Sequence, residues 1–95
     1  MLIKAGVYID RLDRKMCWAL NRIGKAYKLF KEEVIITSTY EGNHMDGSLH
    51  YCNKAIDIRL PQKNTKKVLE KLLDFLGEDF DLVYYDTHFH IEYDP

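Results

Sequence analysis

Two short stretches, AIDIRL at residues 55–60 and THFHIEY at residues 87–93, decide how this chain folds. Apolar and polar residues alternate in both, and a period of two is typical of a β-strand with one face in a core. The opposite faces carry Asp57 in the first stretch, and His88 and His90 in the second. Burying both apolar faces in one core therefore places these three polar side chains on the same outer surface of a sheet.

Two helices are predicted around these strands. The first runs from about Asp10, which can serve as its N-cap, to Phe30, because apolar residues recur there at steps of three and four. The second is capped by Asn64 or Thr65 and runs to about Leu76. Its predicted apolar face consists of Val68, Leu69, Leu72, Leu73 and Leu76.

The remaining segments complete the predicted fold class. Residues 34–39 are rich in β-branched side chains and predict a strand, residues 41–48 predict a loop, and residues 80–85 predict a strand that precedes a turn near Asp86. The order helix, strand, strand, helix, strand, strand is not a regular βαβ alternation. It predicts a single α+β domain over residues 1–95, with two helices packed on one face of a small, mainly antiparallel sheet.

Composition excludes several classes of function. Fourteen basic residues against fifteen acidic ones leave a net charge of −1, which argues against a nucleic-acid-binding protein. No apolar run approaches the roughly 20 residues of a membrane span, and the first residues do not resemble a signal peptide. We therefore expect a protein made in the cytoplasm, which must be released or carried in a virion if its target lies elsewhere. We also expect it to be a monomer.

The residues with the clearest chemistry form the pattern Ser48-x-His50-x6-Asp57, followed near the C-terminus by His88-Phe89-His90. Two neutral imidazoles and one carboxylate are a ligand set that catalytic zinc prefers. Cys52 is an alternative ligand in place of Asp57, although two cysteines without a CxxC pair are not a regular zinc motif. If the side chains converge, the pattern predicts a small zinc hydrolase.

These motifs resemble the zinc D-Ala-D-Ala carboxypeptidase group, which includes phage endolysin peptidases and shares its fold with hedgehog signalling domains. The resemblance covers residues from about 37 to 94. It implies that His50, Asp57 and His90 bind Zn²⁺ and that Ser48 lies beside the substrate. It also implies a hedgehog/DD-peptidase-like fold and hydrolysis of a peptide bond in bacterial peptidoglycan stem peptides, by a carboxypeptidase or an endolysin-type endopeptidase.

The chain departs from the group at the general base. Members usually have a carboxylate three residues before the last ligand, where this chain has Thr87. Asp86 is our first choice for the base and His88 our second, while Arg59 or Lys54 is a candidate for binding a substrate carboxylate. The departure also leaves a second hypothesis open, a non-catalytic zinc-binding or virion-associated module with the same fold.

Overall fold

A computed structural model of the chain describes residues 1–9, 11–39 and 54–95. The described elements, in chain order, are β1 (Leu2–Ile3), α1 (Arg14–Leu29), β2 (Ile35–Ser38), β3 (Ala55–Arg59), α2 (Thr65–Leu76), β4 (Phe80–Tyr84) and β5 (His88–Tyr93). The five described strands form one sheet in the order β1-β2-β3-β5-β4. β1 runs parallel to β2, and the other neighbouring pairs are antiparallel. The predicted α+β class with a mainly antiparallel sheet is confirmed.

Both helices pack on the same face of the sheet, as predicted. The alternate residues of β3 and β5 that point toward the helices, Ile56, Ile58, Phe89 and Ile91, are completely buried. They share one hydrophobic cluster with buried residues of α1, α2, β2 and β4. The Tyr27 hydroxyl of α1 donates a 2.8 Å hydrogen bond to the Arg59 carbonyl of β3, which ties the first helix to the centre of the sheet.

Helix α1 begins later than the sequence indicated. Asp13 is its N-cap, and the Asp13 carboxylate accepts a 2.8 Å hydrogen bond from the Lys15 backbone N–H. Asp10, the predicted cap, lies outside the described residues, and the prediction that it caps this helix is wrong. Both aspartates precede the apolar stripe, but only Asp13 stands directly before the first helical residue, where a side chain can reach the free N–H groups.

Helix α2 has the predicted bounds but a narrower apolar face. Asn64 is its N-cap residue in a left-handed conformation, with φ of 60°, and its side chain makes no capping hydrogen bond. Instead, Glu32 accepts hydrogen bonds from the backbone N–H groups of Gln62 and Lys63 just before the helix. Leu73, predicted to face the core, is 53% exposed, because α1 and the sheet cover only one side of α2.

The hairpin between β4 and β5 sets the position of the last strand. The Tyr85 N–H donates to the His88 carbonyl at 2.9 Å, so three residues, 85–87, connect the paired strands. Asp86 and Thr87 lie exposed in this turn. Within the described ranges, neither helix has the length and apolar character needed to cross a bilayer.

Candidate functional site

The candidate site lies on the face of the sheet opposite the helices. β3 and β5 are antiparallel neighbours, and their register sets Asp57 directly opposite His90 and Arg59 directly opposite His88. The side chains of Asp57 and His90 are 18% and 19% exposed, so they are mostly covered but not enclosed. The buried neighbours on either side of each residue in its strand fix this orientation, because a slip by one residue would reverse it.

Asp57 and His90 make direct contact. Nδ1 of His90 lies 2.8 Å from Oδ1 of Asp57, a hydrogen bond between the two side chains. Nε2 of the same ring lies 3.5 Å from Oε1 of Glu92, two residues along β5. The imidazole therefore stands between two carboxylates.

The two carboxylates favour the protonated form of His90. The hydrogen bond that His90 donates to the Asp57 carboxylate raises the pKa of His90 above its ordinary value, the charges of Asp57 and Glu92 act in the same direction, and desolvation partly opposes them. Histidine and aspartate are both ligands that zinc accepts. A cation bound by the two side chains together would have to replace the proton that they share in this contact.

His88 approaches the same carboxylate from the end of β5. Its Nε2 lies 3.9 Å from Oδ1 of Asp57, and its Nδ1 is hydrogen-bonded to the Thr87 hydroxyl at 2.9 Å. The Tyr85 ring stacks on the imidazole, with the ring centroids 4.8 Å apart. The hydroxyl and the ring together restrict the orientation of His88, with Nε2 directed toward Asp57.

The structure brings together only some of the residues that the sequence selected. Asp57, His88 and His90 form one cluster, and the exposed Arg59 is paired with His88 across β3 and β5. Asp86 lies in the exposed turn between β4 and β5, two residues before His88. The remaining candidates, Ser48, His50 and the alternative ligand Cys52, lie outside the described residues.

Sequence reasoning missed several neighbours of the cluster. Ser38 of β2 is paired with Asp57, and the Thr37 hydroxyl donates to the Asp57 carbonyl at 3.3 Å. On the other side, β4 pairs Val83 with His90. The β4 neighbour follows from the short hairpin, because a three-residue connection fixes which residues of the two strands face each other. The β2 neighbours cannot be predicted from the sequence in this way, because the β2–β3 pairing shifts register between Ile36 and Ser38.

The ligand set that the resemblance implies includes a residue outside the described ranges. Among them, no group of three His, Cys, Asp or Glu side chains is arranged to hold a metal ion. Asp57 and His90 supply two donors of the kinds that zinc accepts, and the third ligand implied by the resemblance, His50, belongs to the segment 40–53. A comparison of the chain with models of known protein families finds no match.

Proposed function

We propose that this protein is a zinc metallopeptidase that hydrolyses a peptide bond in the stem peptides of bacterial peptidoglycan, with the fold of the hedgehog/DD-peptidase group. The observation that carries the proposal is the 2.8 Å contact between Asp57 and His90 on adjacent strands. The resemblance implies these two residues as ligands on sequence grounds alone. Their contact on the outer face of the sheet supports that assignment from an independent direction.

His50, Asp57 and His90 are the residues that would hold the metal. Bound zinc would act as a Lewis acid toward the scissile carbonyl and would lower the pKa of water. The mostly apolar layer behind Asp57 and His90 holds them rigidly, because both strands are anchored by completely buried residues on the opposite face. The fold therefore holds Asp57 and His90 beside each other, which supports their assignment as two of the ligands.

Of the two candidate general bases, Asp86 and His88, we favour His88. When its Nδ1–H donates to the Thr87 hydroxyl, Nε2 remains an acceptor, and this atom lies 3.9 Å from the Asp57 carboxylate. Asp86, our first choice from the sequence, stands in the exposed turn. We therefore rank His88 above Asp86 as the general base, and we keep Arg59, opposite His88, as the candidate for binding a substrate carboxylate.

A second function is favoured by one observation. Thr87 occupies the position where the carboxypeptidases of this group have their carboxylate base, and its hydroxyl is engaged with His88. A chain that retains the zinc ligands without a base would be a binding or virion-associated module. Both hypotheses predict bound zinc, and only the peptidase hypothesis predicts cleavage of peptidoglycan.

Metal content and turnover separate these functions. Zinc per chain is measured by elemental analysis on protein purified without chelator, for the wild type, His50→Ala and His90→Ala. His44→Ala is the control, since His44 is outside the proposed ligand set. We expect one zinc in the wild type and the control, and loss of zinc in both ligand variants. Absence of zinc from the wild type after zinc is added would refute the peptidase and the module together.

Turnover is then measured as release of amines from purified peptidoglycan. We expect His88→Ala to lose about 10²–10⁴-fold in rate while it retains zinc, the range for removal of a general base. Asp86→Ala tests the competing assignment under the same conditions. Bound zinc with no cleavage by the wild type would reject the peptidase and leave the binding module.

A further inference from the structure

Charge is distributed unevenly along this nearly neutral chain. Residues 1–31 contain eight basic and two acidic residues, whereas residues 32–95 contain six basic and thirteen acidic ones. Helix α1 alone, Arg14–Leu29, carries five basic residues and no acidic one. An asymmetry of this size points to an anionic partner for the basic part, although the net charge of the whole chain hides it.

The basic residues of α1 are concentrated on the side of the helix that faces away from the core. Arg14, Trp18, Lys25 and Leu29 lie along the line opposite the buried residues, with Arg22 and Lys28 on its two edges. Within the described part of the chain, none of the five α1 cations lies within ion-pair distance of a carboxylate. The charge on this face is therefore not neutralised by the fold itself.

Large apolar side chains lie on the same surface. Trp18 is 43% exposed and Leu29 is 59% exposed. Lys25, Lys28, Leu29 and Phe75 line an open groove of about 430 Å³ between the two helices. The Arg22 guanidinium lies 4.9 Å from the centre of the Trp18 ring, so a cation and an aromatic ring are presented together.

We propose that this outer face of α1 docks on an anionic phospholipid bilayer. The unpaired cations complement the charge of the lipid headgroups, with each contributing about fivefold to binding. The exposed Trp18 and Leu29 supply the apolar contact with the acyl boundary that a purely electrostatic partner does not need. The site around Asp57 lies on the opposite side of the sheet, so docking leaves that site accessible, and the inference is independent of the proposed function.

Trp18 makes the proposal directly testable, because it is the only tryptophan in the chain. Its fluorescence is followed while the full chain is titrated with vesicles of phosphatidylglycerol and phosphatidylcholine, or of phosphatidylcholine alone. We expect a blue shift and saturable binding with the anionic vesicles only, weakened by added salt. The double variant Lys25→Gln/Lys28→Gln should bind about 25-fold more weakly. Leu29→Ser should also weaken binding, without loss of folding, since Leu29 is exposed.

The matched control is Lys4→Gln/Lys63→Gln, which changes the net charge equally at two exposed positions outside α1. It should bind like the wild type. An equal loss in the control, or equal binding of the Lys25/Lys28 variant and the wild type, would overturn the proposal. So would binding of soluble polyphosphate without any vesicle-induced blue shift, which identifies a polyanion as the partner, or a salt-sensitive dimer in sedimentation velocity that does not bind vesicles.

Discussion

Asp57→Asn is the substitution that most directly probes the candidate site in the metal-free protein. It keeps the size of the side chain and removes the charge that holds His90 Nδ1 at 2.8 Å. Because the hydrogen bond with Asp57 is the largest cause of the raised pKa of His90, we expect that pKa to fall in the variant. The pKa is measured from the imidazole Cε1–H resonance during an NMR titration.

The same contact contributes to stability in a defined range of pH. A hydrogen bond to a charged group contributes about 1.5–3 kcal/mol, and we take about 1.5 kcal/mol, because both side chains keep some exposure and desolvation opposes the charged form. For a domain of this length, that corresponds to a loss of roughly 6–12 °C in Tm.

The sign of the pH dependence follows from the direction of the shift. A raised pKa in the folded state stabilises the fold fully below the ordinary histidine pKa, about 6.5, provided that Asp57 is ionised. This contribution is lost as the pH rises through the folded-state pKa. The difference in Tm between wild type and Asp57→Asn should therefore be larger near pH 5.5 than near pH 8.5.

Asp74→Asn is the control, with the same change in charge at an exposed position on α2. Two results would refute the reasoning: an unchanged His90 titration in Asp57→Asn, or a destabilisation that is the same at both pH values. Either one would mean that Asp57 and His90 do not share a proton in the folded protein.

Three further predictions concern the fold around the site. Tyr27→Phe removes the hydrogen bond to the Arg59 carbonyl at the end of β3 and should lower the free energy of unfolding by about 1 kcal/mol in urea titrations. Phe89→Ala should cost about 3–5 kcal/mol by the same assay and unfold much of the protein, because Phe89 is completely buried. A hydrogen bond with Asp94 raises the pKa of Asp81, so the pair destabilises the fold once both carboxyls are ionised. Asp81→Asn should therefore raise Tm at pH 7, with the gain absent near pH 3, as calorimetry would show.

The sequence was sufficient to predict the central strands and the polar face they share. Alternation in residues 55–60 and 87–93 specifies the orientation of each side chain, and the structure has Asp57 and His90 on one face of the sheet, as that alternation predicts. The direct pairing of these two residues depends on the register of β3 and β5, which alternation does not determine. Hydrophobic periods of two and 3.6 residues predict strands and helices reliably where a segment is long enough to repeat them.

The features that could not be predicted lack such repetition. β1 consists of Leu2 and Ile3 alone, too short for any periodic signal, and its parallel pairing with β2 depends on contacts distant in sequence. The exposure of Leu73 depends on how wide a strip of α2 the core covers, which periodicity does not determine. The predicted roles of Ser48 and His50 fall in the segment 40–53 and remain predictions.

The pattern that folds β3 and β5 is also the pattern that assembles the candidate site. Ile56 and Ile58 flank Asp57, and Phe89 and Ile91 flank His90, so burial of the four apolar residues orients the two polar ones. A register slip that exposed the apolar residues would also turn the polar pair into the core, where unpaired charge is costly. Folding errors in these strands therefore abolish the site together with the core. A correctly folded sheet presents Asp57 and His90 side by side on its outer face, without further ordering of the backbone.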